Sequence, residues 1–323
     1  MANAIRIHQA GGPEVLKFEE AHVGEPGPGQ VRLRQEAVGL NFIDVYHRTG
    51  LYKQELPFTP GVEGAGVVDK VGRDVSSLKV GERVAYAGPI GAYADVRLIA
   101  ADRLVKLPEG ISFGEAAAMM LQGLTTHMLL RGVYSVKPGD TILIHAAAGG
   151  GGLIACQWAK ALGARVIGTV GSDEKAELAR AHGCDYPIVY TQEDFVSEVK
   201  RITEGAKLPV VYDGVGRDTF MKSLDCLHRR GMMVSFGNAS GPVEPFAPTL
   251  LAQKGSLFLT RPTMYDYTAT QAELQQAADE LFDVVASGKV RIKIKQRFKL
   301  EDAADAHRAL EARKTSGSTI LTI

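Results

Sequence analysis

The chain has 323 residues, 45% of them hydrophobic, which suits two globular domains with sizeable cores and argues against general disorder. Lys and Arg together number 37, as do Asp and Glu, so no net charge draws the chain toward nucleic acid or an anionic membrane. No stretch approaches the roughly 20 apolar residues of a membrane span, and residues 1–12 lack the features of a secretion signal.

The three cysteines, Cys156, Cys184 and Cys226, are scattered along the chain and odd in number. Such usage suits a reducing compartment better than a disulfide framework. Each is interpreted as a small buried hydrophobic residue, because free cysteine is among the most buried residue types. We therefore expect a cytoplasmic protein.

The first third of the chain consists of short segments in which apolar and polar residues alternate, with glycines between them. The clearest segments are 31–40, 64–72 and 81–87, and they predict strands of a small antiparallel barrel. Proline and glycine in 24–30 predict a surface turn, because these residues disfavour regular strand pairing.

The pattern becomes helical from Ser112, which forms a predicted capping box with Glu115. Strands and helices then alternate, which predicts a doubly wound parallel sheet. The predicted strands are 141–146, 164–170, 186–190, 208–213, 232–237 and 256–260. The predicted helices between them are 150–162, 173–182, 194–203 and 218–230. Gly163, Gly183 and Gly231 follow predicted helix ends, where a left-handed residue is favoured.

Residues 264–323 are too few for a separate domain, so we expect them to pack back on the N-terminal one. Their pattern predicts a helix near 270–286, a strand, a second helix and a final strand. Positive charges in 289–299 alternate with apolar residues, which favours a half-buried strand with a solvated basic face. Binding of RNA or another anion is the alternative interpretation of this run.

A glycine-rich turn follows the first predicted strand of the parallel sheet and opens its helix. Gly149 and Gly152 hold the second and third glycine positions of the G-x-G-x-x-G pattern, and Ala147 holds the first. The helix N-terminus would offer N–H groups and a positive dipole end to a pyrophosphate. A dinucleotide site is therefore favoured over a purely structural tight turn.

The second strand of this sheet ends at Val170 without the acidic residue that holds the ribose 2′-hydroxyl in NAD sites. Ser172 and Lys175 follow, and a hydroxyl and a cation suit a 2′-phosphate. Asp173 and Glu174 are interpreted as partners of the helix dipole. The sequence thus predicts NADPH rather than NADH as the cofactor.

Five segments resemble a known family, and they are 38–52, 60–72, 145–150, 210–220 and 231–241. They are similar to the zinc-independent quinone oxidoreductases of the medium-chain dehydrogenase/reductase superfamily, the branch that includes the zeta-crystallins. The resemblance covers essentially the whole chain. It implies an α/β protein with a GroES-like β-barrel catalytic domain (1–122), a Rossmann domain that binds NADPH (123–263) and a returning segment (264–323). It also implies a homodimer joined through the edge strand at 256–260.

Zinc-dependent members of that superfamily carry a cysteine where this chain has Asn41 and a histidine where it has Val62. Valine offers no lone pair to a metal, and a catalytic zinc needs three protein ligands and an open position. The sequence therefore predicts no metal site. His145, at the end of a predicted strand, is interpreted as a hydrogen-bonded structural residue.

The candidate catalytic residues are Asn41, Tyr46 and Tyr52, because each can donate a hydrogen bond to an oxyanion that develops on a quinone. Packing or loop anchoring is the alternative role for each, and Asp44 is interpreted as structural. The resemblance further implies that the cofactor contacts Asn41, Phe42, Gly150, Gly151, Gly171, Ser172, Lys175, Tyr190, Val215, Phe236, Gly237, Asn238, Ala239, Pro262, Met264 and Arg313.

The favoured function is the reduction of a small-molecule quinone by hydride transfer from NADPH without zinc. One alternative is an NADPH-dependent reductase of activated alkenes such as enones, which would also need a proton donor. Another is a non-enzymatic protein that senses NADPH or binds RNA. Membrane and nucleic-acid partners are not expected.

Overall fold

A computed structural model describes residues 2–323 of the chain. Its strands, numbered in chain order, are β1 (Ala2–Arg6), β2 (Lys17–Ala21), β3 (Gln30–Leu40), β4 (Glu63–Val71), β5 (Arg83–Ala87), β6 (Val96–Ala100), β7 (Val105–Lys106), β8 (Thr141–Ile144), β9 (Arg165–Val170), β10 (Tyr186–Val189), β11 (Leu208–Asp213), β12 (Leu227–Ser235), β13 (Phe258–Thr260), β14 (Ile294–Lys299) and β15 (Ser318–Thr322). Its α-helices are α1 (Phe42–Thr49), α2 (Phe113–Ala117), α3 (Met120–His127), α4 (Gly150–Ala161), α5 (Asp173–Arg180), α6 (Phe195–Ile202), α7 (Phe220–Asp225), α8 (Thr249–Gln253), α9 (Met264–Tyr267), α10 (Gln271–Ala286) and α11 (Ala303–Glu311).

The chain divides into two units. The first comprises the described residues up to Leu124 together with Thr268–Ala286 and Ile292–Ile323. The second comprises Thr125–Tyr267 together with Ser287–Arg291. Most of the C-terminal segment thus belongs to the first unit. Among residues 2–323, no helix combines the length and the apolar character that a membrane crossing would need.

The first unit is built on a sheet in the order β14-β15-β3-β4-β5-β7, with β6 also paired to β3. The pairs are antiparallel except for β14 with β15. The alternation of 31–40 buries Val31 and Leu33 in the core of this unit, as the sequence pattern predicted. Because β15 pairs with β3, the C-terminal strand completes the sheet that the N-terminal residues begin.

The second unit contains a six-stranded parallel sheet in the order β10-β9-β8-β11-β12-β13. This is the strand order of a doubly wound dinucleotide-binding fold, so the predicted fold class is confirmed. Apolar residues from several of these strands, such as Leu143, Ile167 and Val211, form its core. Gly163 and Gly183 have φ values of 86° and 90°, the left-handed conformation expected of them.

The predicted helix over 218–230 is wrong in its second half. Helix α7 ends at Asp225, and β12 begins two residues later at Leu227, which is buried and pairs with Leu208. Gly231 accordingly lies inside a strand and does not cap a helix. A Cβ at position 231 would lie 3.1 Å from Leu208 O, so the glycine allows close approach of β11.

The basic run forms an edge strand. Its strand part is shorter than 289–299, because β14 begins at Ile294. Within β14, partly buried and exposed residues alternate, and the exposed ones are Lys295, Arg297 and Lys299. The half-buried strand with a solvated basic face is therefore confirmed for 294–299.

Candidate active site

The glycine turn after β8 lets α4 pack close to the strand end. Gly149 is the extended N-cap residue of α4, and its N–H donates to Ala146 O at 3.0 Å. A Cβ at position 152 would lie 2.3 Å from Ala146 O, so only glycine fits there. This is the role that the sequence pattern assigns to the third glycine.

The opposite side of the turn is open to a ligand. A Cβ at position 149 would meet nothing nearer than Ala146 O at 3.4 Å, so the backbone at the second glycine position is accessible. The N–H groups at Gly150 and Gly151 belong to the first turn of α4 and have no acceptor within the helix. This geometry fits a pyrophosphate, whose charge also suits the helix dipole.

The residues after β9 form the second part of this site. Ser172 is the N-cap residue of α5, and its hydroxyl accepts from the N–H of Lys175 at 3.4 Å. A Cβ at position 171 would lie 3.1 Å from the Tyr190 hydroxyl, which brings the tyrosine against Gly171. Gly171, Ser172, Lys175 and Tyr190 are therefore neighbours, although Tyr190 follows a different strand, β10.

The acidic residues of the first turn of α5 do not occupy the place of a ribose-binding acid. The β9 strand ends at the buried Val170. Asp173 is exposed and accepts a hydrogen bond from Gln192 at 3.4 Å, and Glu174 is exposed as well. The residues at this corner thus fit a 2′-phosphate better than a 2′-hydroxyl.

A third cluster lies at the carboxyl ends of β11 and β12. The Asp213 carboxylate accepts from the N–H groups of Val215 (2.8 Å) and Gly216 (3.0 Å), so it shapes the loop after β11. A Cβ at position 237 would lie 2.4 Å from Gly214 O, which means that the loop after β12 packs directly on this one. Parallel sheets of this kind bind ligands at the carboxyl ends of their strands.

Arg261 fastens the second of these loops. Its guanidinium donates to Ser235 O at 2.9 Å. When the Asn238 amide is oriented by its hydrogen-bond partners, its oxygen accepts from Arg261 and its nitrogen donates to Gly237 O. Pro262 and Met264 follow in the chain, and Met264 is buried.

The structure thus brings most of the predicted cofactor residues together in the second unit. They are Gly150 and Gly151 after β8, Gly171, Ser172 and Lys175 after β9, Tyr190 after β10, Val215 after β11, Phe236, Gly237, Asn238 and Ala239 after β12, and Pro262 and Met264 after β13. Asn41, Phe42 and Arg313 belong to the first unit, where Phe42 begins α1 and Arg313 follows α11.

Asn41 is the buried N-cap residue of α1, and its side-chain amide is held from both sides. The amide nitrogen donates to Glu63 Oε1 at 2.5 Å, and the amide oxygen accepts from Gln122 Nε2 at 3.1 Å. The other Glu63 oxygen accepts from the N–H of Leu121 at 2.7 Å. A Cβ on residue 39 would lie 2.2 Å from Glu63 Oε1, so Gly39 provides the space for this carboxyl group.

A second buried network starts at Asp44. Its Oδ2 accepts from the Asn41 N–H and from the Tyr93 hydroxyl, both at 2.9 Å. His307 lies between Tyr93 (3.2 Å) and Arg48 (3.0 Å). Since Arg48 can only donate, Nδ1 of His307 accepts and its Nε2–H faces Tyr93. Asp44 is thus part of the interior, in line with its structural interpretation.

Burial perturbs the titration of both carboxyl groups beside Asn41. Burial raises the pKa of Glu63 to about 8, against the effect of its hydrogen bonds from Asn41 and Leu121. Burial likewise raises the pKa of Asp44 to about 7. Perturbed carboxyl groups of this kind are concentrated at functional sites, although structural networks also produce them.

The two candidate tyrosines lie side by side at the end of α1. Tyr46 is in the helix, Tyr52 follows it, and their rings meet edge to face with centroids 5.2 Å apart. The N–H of Tyr52 donates to Tyr46 O at 3.0 Å, which fixes the loop after the helix. Tyr46 is buried and Tyr52 partly exposed.

Sequence reasoning did not identify Glu63, Gln122 or Asp213 as members of these sites. A carboxylate at the start of the glycine-rich strand 63–71, and another before a Gly-x-Gly turn at 213–216, were the available signals. His145 is buried, and its ring nitrogens lie 2.8 Å from the hydroxyls of Thr169 and Ser223. This agrees with its structural interpretation.

Val62, where the zinc-dependent members of the resembled superfamily have a histidine, is apolar and fully buried. Asn41 stands where they have a cysteine, and its amide donates a hydrogen bond to Glu63. Within residues 2–323, no three histidine, cysteine, aspartate or glutamate side chains are grouped so that they could hold a metal ion.

Two family models match the chain. The model described as alcohol dehydrogenase GroES-like domain matches residues 27–109, in the first unit. The model described as zinc-binding dehydrogenase matches residues 150–283, which contain α4 and the loops after β9, β11 and β12.

Full-length relatives are also found. A quinone oxidoreductase of Pseudomonas aeruginosa is 55% identical over 323 residues, which are 99% of each chain. The crystal structure of Escherichia coli quinone oxidoreductase complexed with NADPH has a TM-score of 0.98 and 50% identity, with 100% of both chains covered. A 2-haloacrylate reductase of a Burkholderia species is 46% identical over 329 residues, with 99% of each chain covered.

Proposed function

The chain belongs to the quinone oxidoreductases of the medium-chain dehydrogenase/reductase superfamily, and we propose that it catalyses the NADPH-dependent reduction of quinones. The observation that carries the choice of cofactor is the corner after β9, where the strand ends at Val170 rather than at an acid and Ser172 and Lys175 follow at the start of α5. The choice of substrate is supported by the full-length relatives named quinone oxidoreductases.

The second unit holds the cofactor. The N–H groups at Gly150 and Gly151 receive the pyrophosphate at the start of α4. The Ser172 hydroxyl and the Lys175 ammonium bind the 2′-phosphate, and Tyr190 covers the adenosine ribose. Val215 and residues 236–239 line the nicotinamide end, on loops that Asp213 and Arg261 hold in shape.

The first unit supplies the polar groups for the substrate. When bound, NADPH supplies the hydride. A quinone is already electrophilic, so the protein needs to position it and to donate hydrogen bonds to the oxygen on which charge develops. Asn41 and Tyr46 are the donors, with Tyr52 as a further contact.

Zinc has no place in this reaction. The buried Val62 has no lone pair to offer a metal. The Asn41 amide donates a hydrogen bond to Glu63 instead of binding a metal. Without a metal to stabilise an alkoxide, oxidation of simple alcohols is not favoured.

The proposal is tested by NADPH oxidation with a panel of substituted quinones, followed by the absorbance of the reduced nicotinamide, with simple alcohols and NADP⁺ as the control for alcohol oxidation. Turnover with quinones and none with alcohols is expected. Failure of every quinone to oxidise NADPH would contradict the proposed function.

Tyr46→Phe tests the site within the first unit. Loss of one hydrogen-bond donor should lower kcat/KM for quinones by about 10-fold, well below the largest effects seen for oxyanion donors, because quinones are reactive. NADPH affinity should change less. Tyr134→Phe, which removes a hydroxyl from the second unit, is the control and should leave quinone turnover unchanged.

A second candidate function is the reduction of activated alkenes. It is supported by the 46% identity with a 2-haloacrylate reductase over nearly the whole of both chains. The same panel should include a 2-haloacrylate and an enone. A kcat/KM for either that exceeds the value for every quinone would favour this candidate.

The protein is a cytoplasmic homodimer in this proposal. Its three cysteines are buried and unbridged, which supports a reducing compartment. Dimerisation through β13 is supported by the position of this strand at the edge of the parallel sheet and by its exposed Phe258 (54%) and Leu259 (38%).

A further inference from the structure

We propose that Glu63 is a positioning residue that fixes which way the side-chain amide of Asn41 faces. The proposal rests on the role of Asn41 as a hydrogen-bond donor to the substrate, proposed above. It concerns four side chains of the first unit, Ser318, Gln122, Asn41 and Glu63, which we call the amide chain.

The amide chain has one direction. Ser318 Oγ donates to Gln122 Oε1 at 3.0 Å, and Gln122 Nε2 donates to Asn41 Oδ1 at 3.1 Å. Asn41 Nδ2 then donates to Glu63 Oε1 at 2.5 Å. Each amide has a donor end and an acceptor end, so turning one over requires all of the others to turn.

Glu63 sets the direction of the amide chain. When both of its oxygens accept hydrogen bonds, this end of the amide chain cannot reverse. Oε2 accepts from the N–H of Leu121 at 2.7 Å, a backbone group that cannot turn. Oε1 is then an acceptor for Asn41, which must present its NH2 group. That nitrogen carries two hydrogens, and Glu63 accepts a hydrogen bond from one of them.

The other titratable groups around Glu63 are Asp44 of α1, Tyr86 of β5 and Tyr93, and Arg97 lies against Tyr86. Burial raises the pKa of both tyrosines, so they stay neutral while the carboxyl groups titrate. Asp44 also titrates, and it contacts the backbone N–H of Asn41 rather than the side-chain amide.

Glu63→Gln reverses the direction of the hydrogen bonds in the amide chain, while the side chain at position 63 keeps its shape. The glutamine carbonyl must go to the fixed N–H of Leu121, so its NH2 group faces Asn41 and turns the Asn41 oxygen toward it. A neutral carboxylic acid can reverse the chain in the same way. The effect of the variant should therefore be largest where Glu63 is ionised, above the pKa of about 8 that burial gives it.

The kinetic test compares wild type and Glu63→Gln at about pH 9 and about pH 6, on either side of the Glu63 pKa, with a quinone that is stable in base. At the higher pH the variant should lose about 10- to 100-fold in kcat/KM for quinone, the effect of one hydrogen bond to a developing charge. At the lower pH the loss should fall below about threefold. Glu82→Gln is the matched control, since Glu82 also accepts from a backbone N–H and a side chain, but at the surface.

A double-mutant cycle separates positioning from general damage. In the Asn41→Ala background, Glu63→Gln should have no further effect on kcat/KM. The same loss in both backgrounds, a loss independent of pH, no loss in wild type, or an Asn41→Ala variant with unchanged turnover would each overturn the proposal. If wild type reduces no quinone, the proposed function fails. The orientation of the amide chain is then still tested by the NMR measurement that follows.

That measurement needs no turnover. The chain has three asparagines, Asn3, Asn41 and Asn238, so selective labelling with nitrogen-15 gives three side-chain amide signals in NMR spectra. The Asn41 signal, identified by its loss in Asn41→Ala, should shift in wild type as Glu63 ionises around its pKa of about 8. This shift should be missing in Glu63→Gln, where only the titration of Asp44 remains. A wild-type signal that moves with pH no more than that of Glu63→Gln would overturn the proposal.

Discussion

Lys175 carries most of the expected discrimination between NADPH and NADH. It lies in the first turn of α5, beside the N-cap residue Ser172 and close to Tyr190 through Gly171. A charge-assisted hydrogen bond to the 2′-phosphate contributes about 1.5–3 kcal/mol, so Lys175→Ala should weaken NADPH by roughly 10- to 100-fold. NADH lacks this phosphate and should be little affected. Titration of cofactor fluorescence gives both Kd values.

Arg180→Ala is the matched control for Lys175. Arg180 lies on the same helix and pairs with Glu177 at the surface. Its removal deletes an equal charge away from the corner after β9 and should leave both Kd values within about twofold, as for other exposed charges. Equal weakening of NADPH and NADH by Lys175→Ala would contradict the assignment of the phosphate site.

Glu63 should also couple the stability of the protein to pH. Burial raises its pKa to about 8 in the folded state, above the value of 4.5 for an exposed glutamate. The folded state therefore binds the proton more tightly, and its advantage is lost as the pH rises through about 8. Relative to Glu63→Gln, wild type should lose at least about 1 kcal/mol of unfolding free energy between about pH 5 and pH 8. Urea unfolding at several pH values measures this, and parallel curves would contradict the raised pKa.

At the scale of single residues, the sequence predicts the parts of the site that are contiguous in the chain. The glycines of the turn and Ser172 with Lys175 follow strands directly, so the fold class alone places them at the carboxyl edge of the sheet. The partners of Asn41 were not predictable in this way. Glu63 and Gln122 are 22 and 81 residues away from it, and only the folded sheet and α3 bring them to its amide.

At the scale of elements, α11 is joined to α1 by an ion pair whose guanidinium is buried and whose carboxylate is 35% exposed. Arg48 of α1 is 1% exposed, and it donates two hydrogen bonds to Glu311, at the end of α11. Glu311→Ala would leave a buried guanidinium without its carboxylate, at an expected cost of about 2 kcal/mol, below that of a fully buried pair because Glu311 is partly exposed to solvent. Asp305→Ala removes a surface partner of Arg308 on the same helix and should cost less than about 0.5 kcal/mol. Equal shifts of the urea midpoint for the two variants would contradict the importance of the pair between Arg48 and Glu311.

The elements that the sequence predicts best are the strands and helices with an uninterrupted apolar pattern. Helix α4 and strand β9 begin and end within one residue of their predicted bounds. The segment 226–230 misled the prediction because its charged residues suit a helix, whereas Leu227 is drawn into the core beside β11. Propensity was overridden by tertiary pairing, which a local pattern does not report.

At the scale of the molecule, two of the edge strands, β14 in the first unit and β13 in the second, differ in charge. The outer strand β14 presents Lys295, Arg297 and Lys299, and a row of cations opposes pairing with another strand. The outer strand β13 has no charged residue and presents Phe258 and Leu259. The net charge of zero conceals this contrast. Self-association is accordingly expected at β13.

Phe258→Asp should therefore convert the proposed dimer into a monomer, because it places a charge on the edge that would pair. Light scattering after gel filtration gives the mass of each species. Lys295→Asp, on the other edge strand, is the control and should leave the mass unchanged. A wild-type mass of one chain, near 34.6 kDa, would contradict the dimer.

The central claim is that this chain reduces quinones with NADPH as its preferred cofactor. The most direct measurement is kcat/KM for NADPH and for NADH with the same saturating quinone and the same purified protein. The absence of an acid at the end of β9, where Val170 stands, with Ser172 and Lys175 in place, predicts a value for NADPH at least about 10-fold higher. Equal values, or a preference for NADH, would contradict the account.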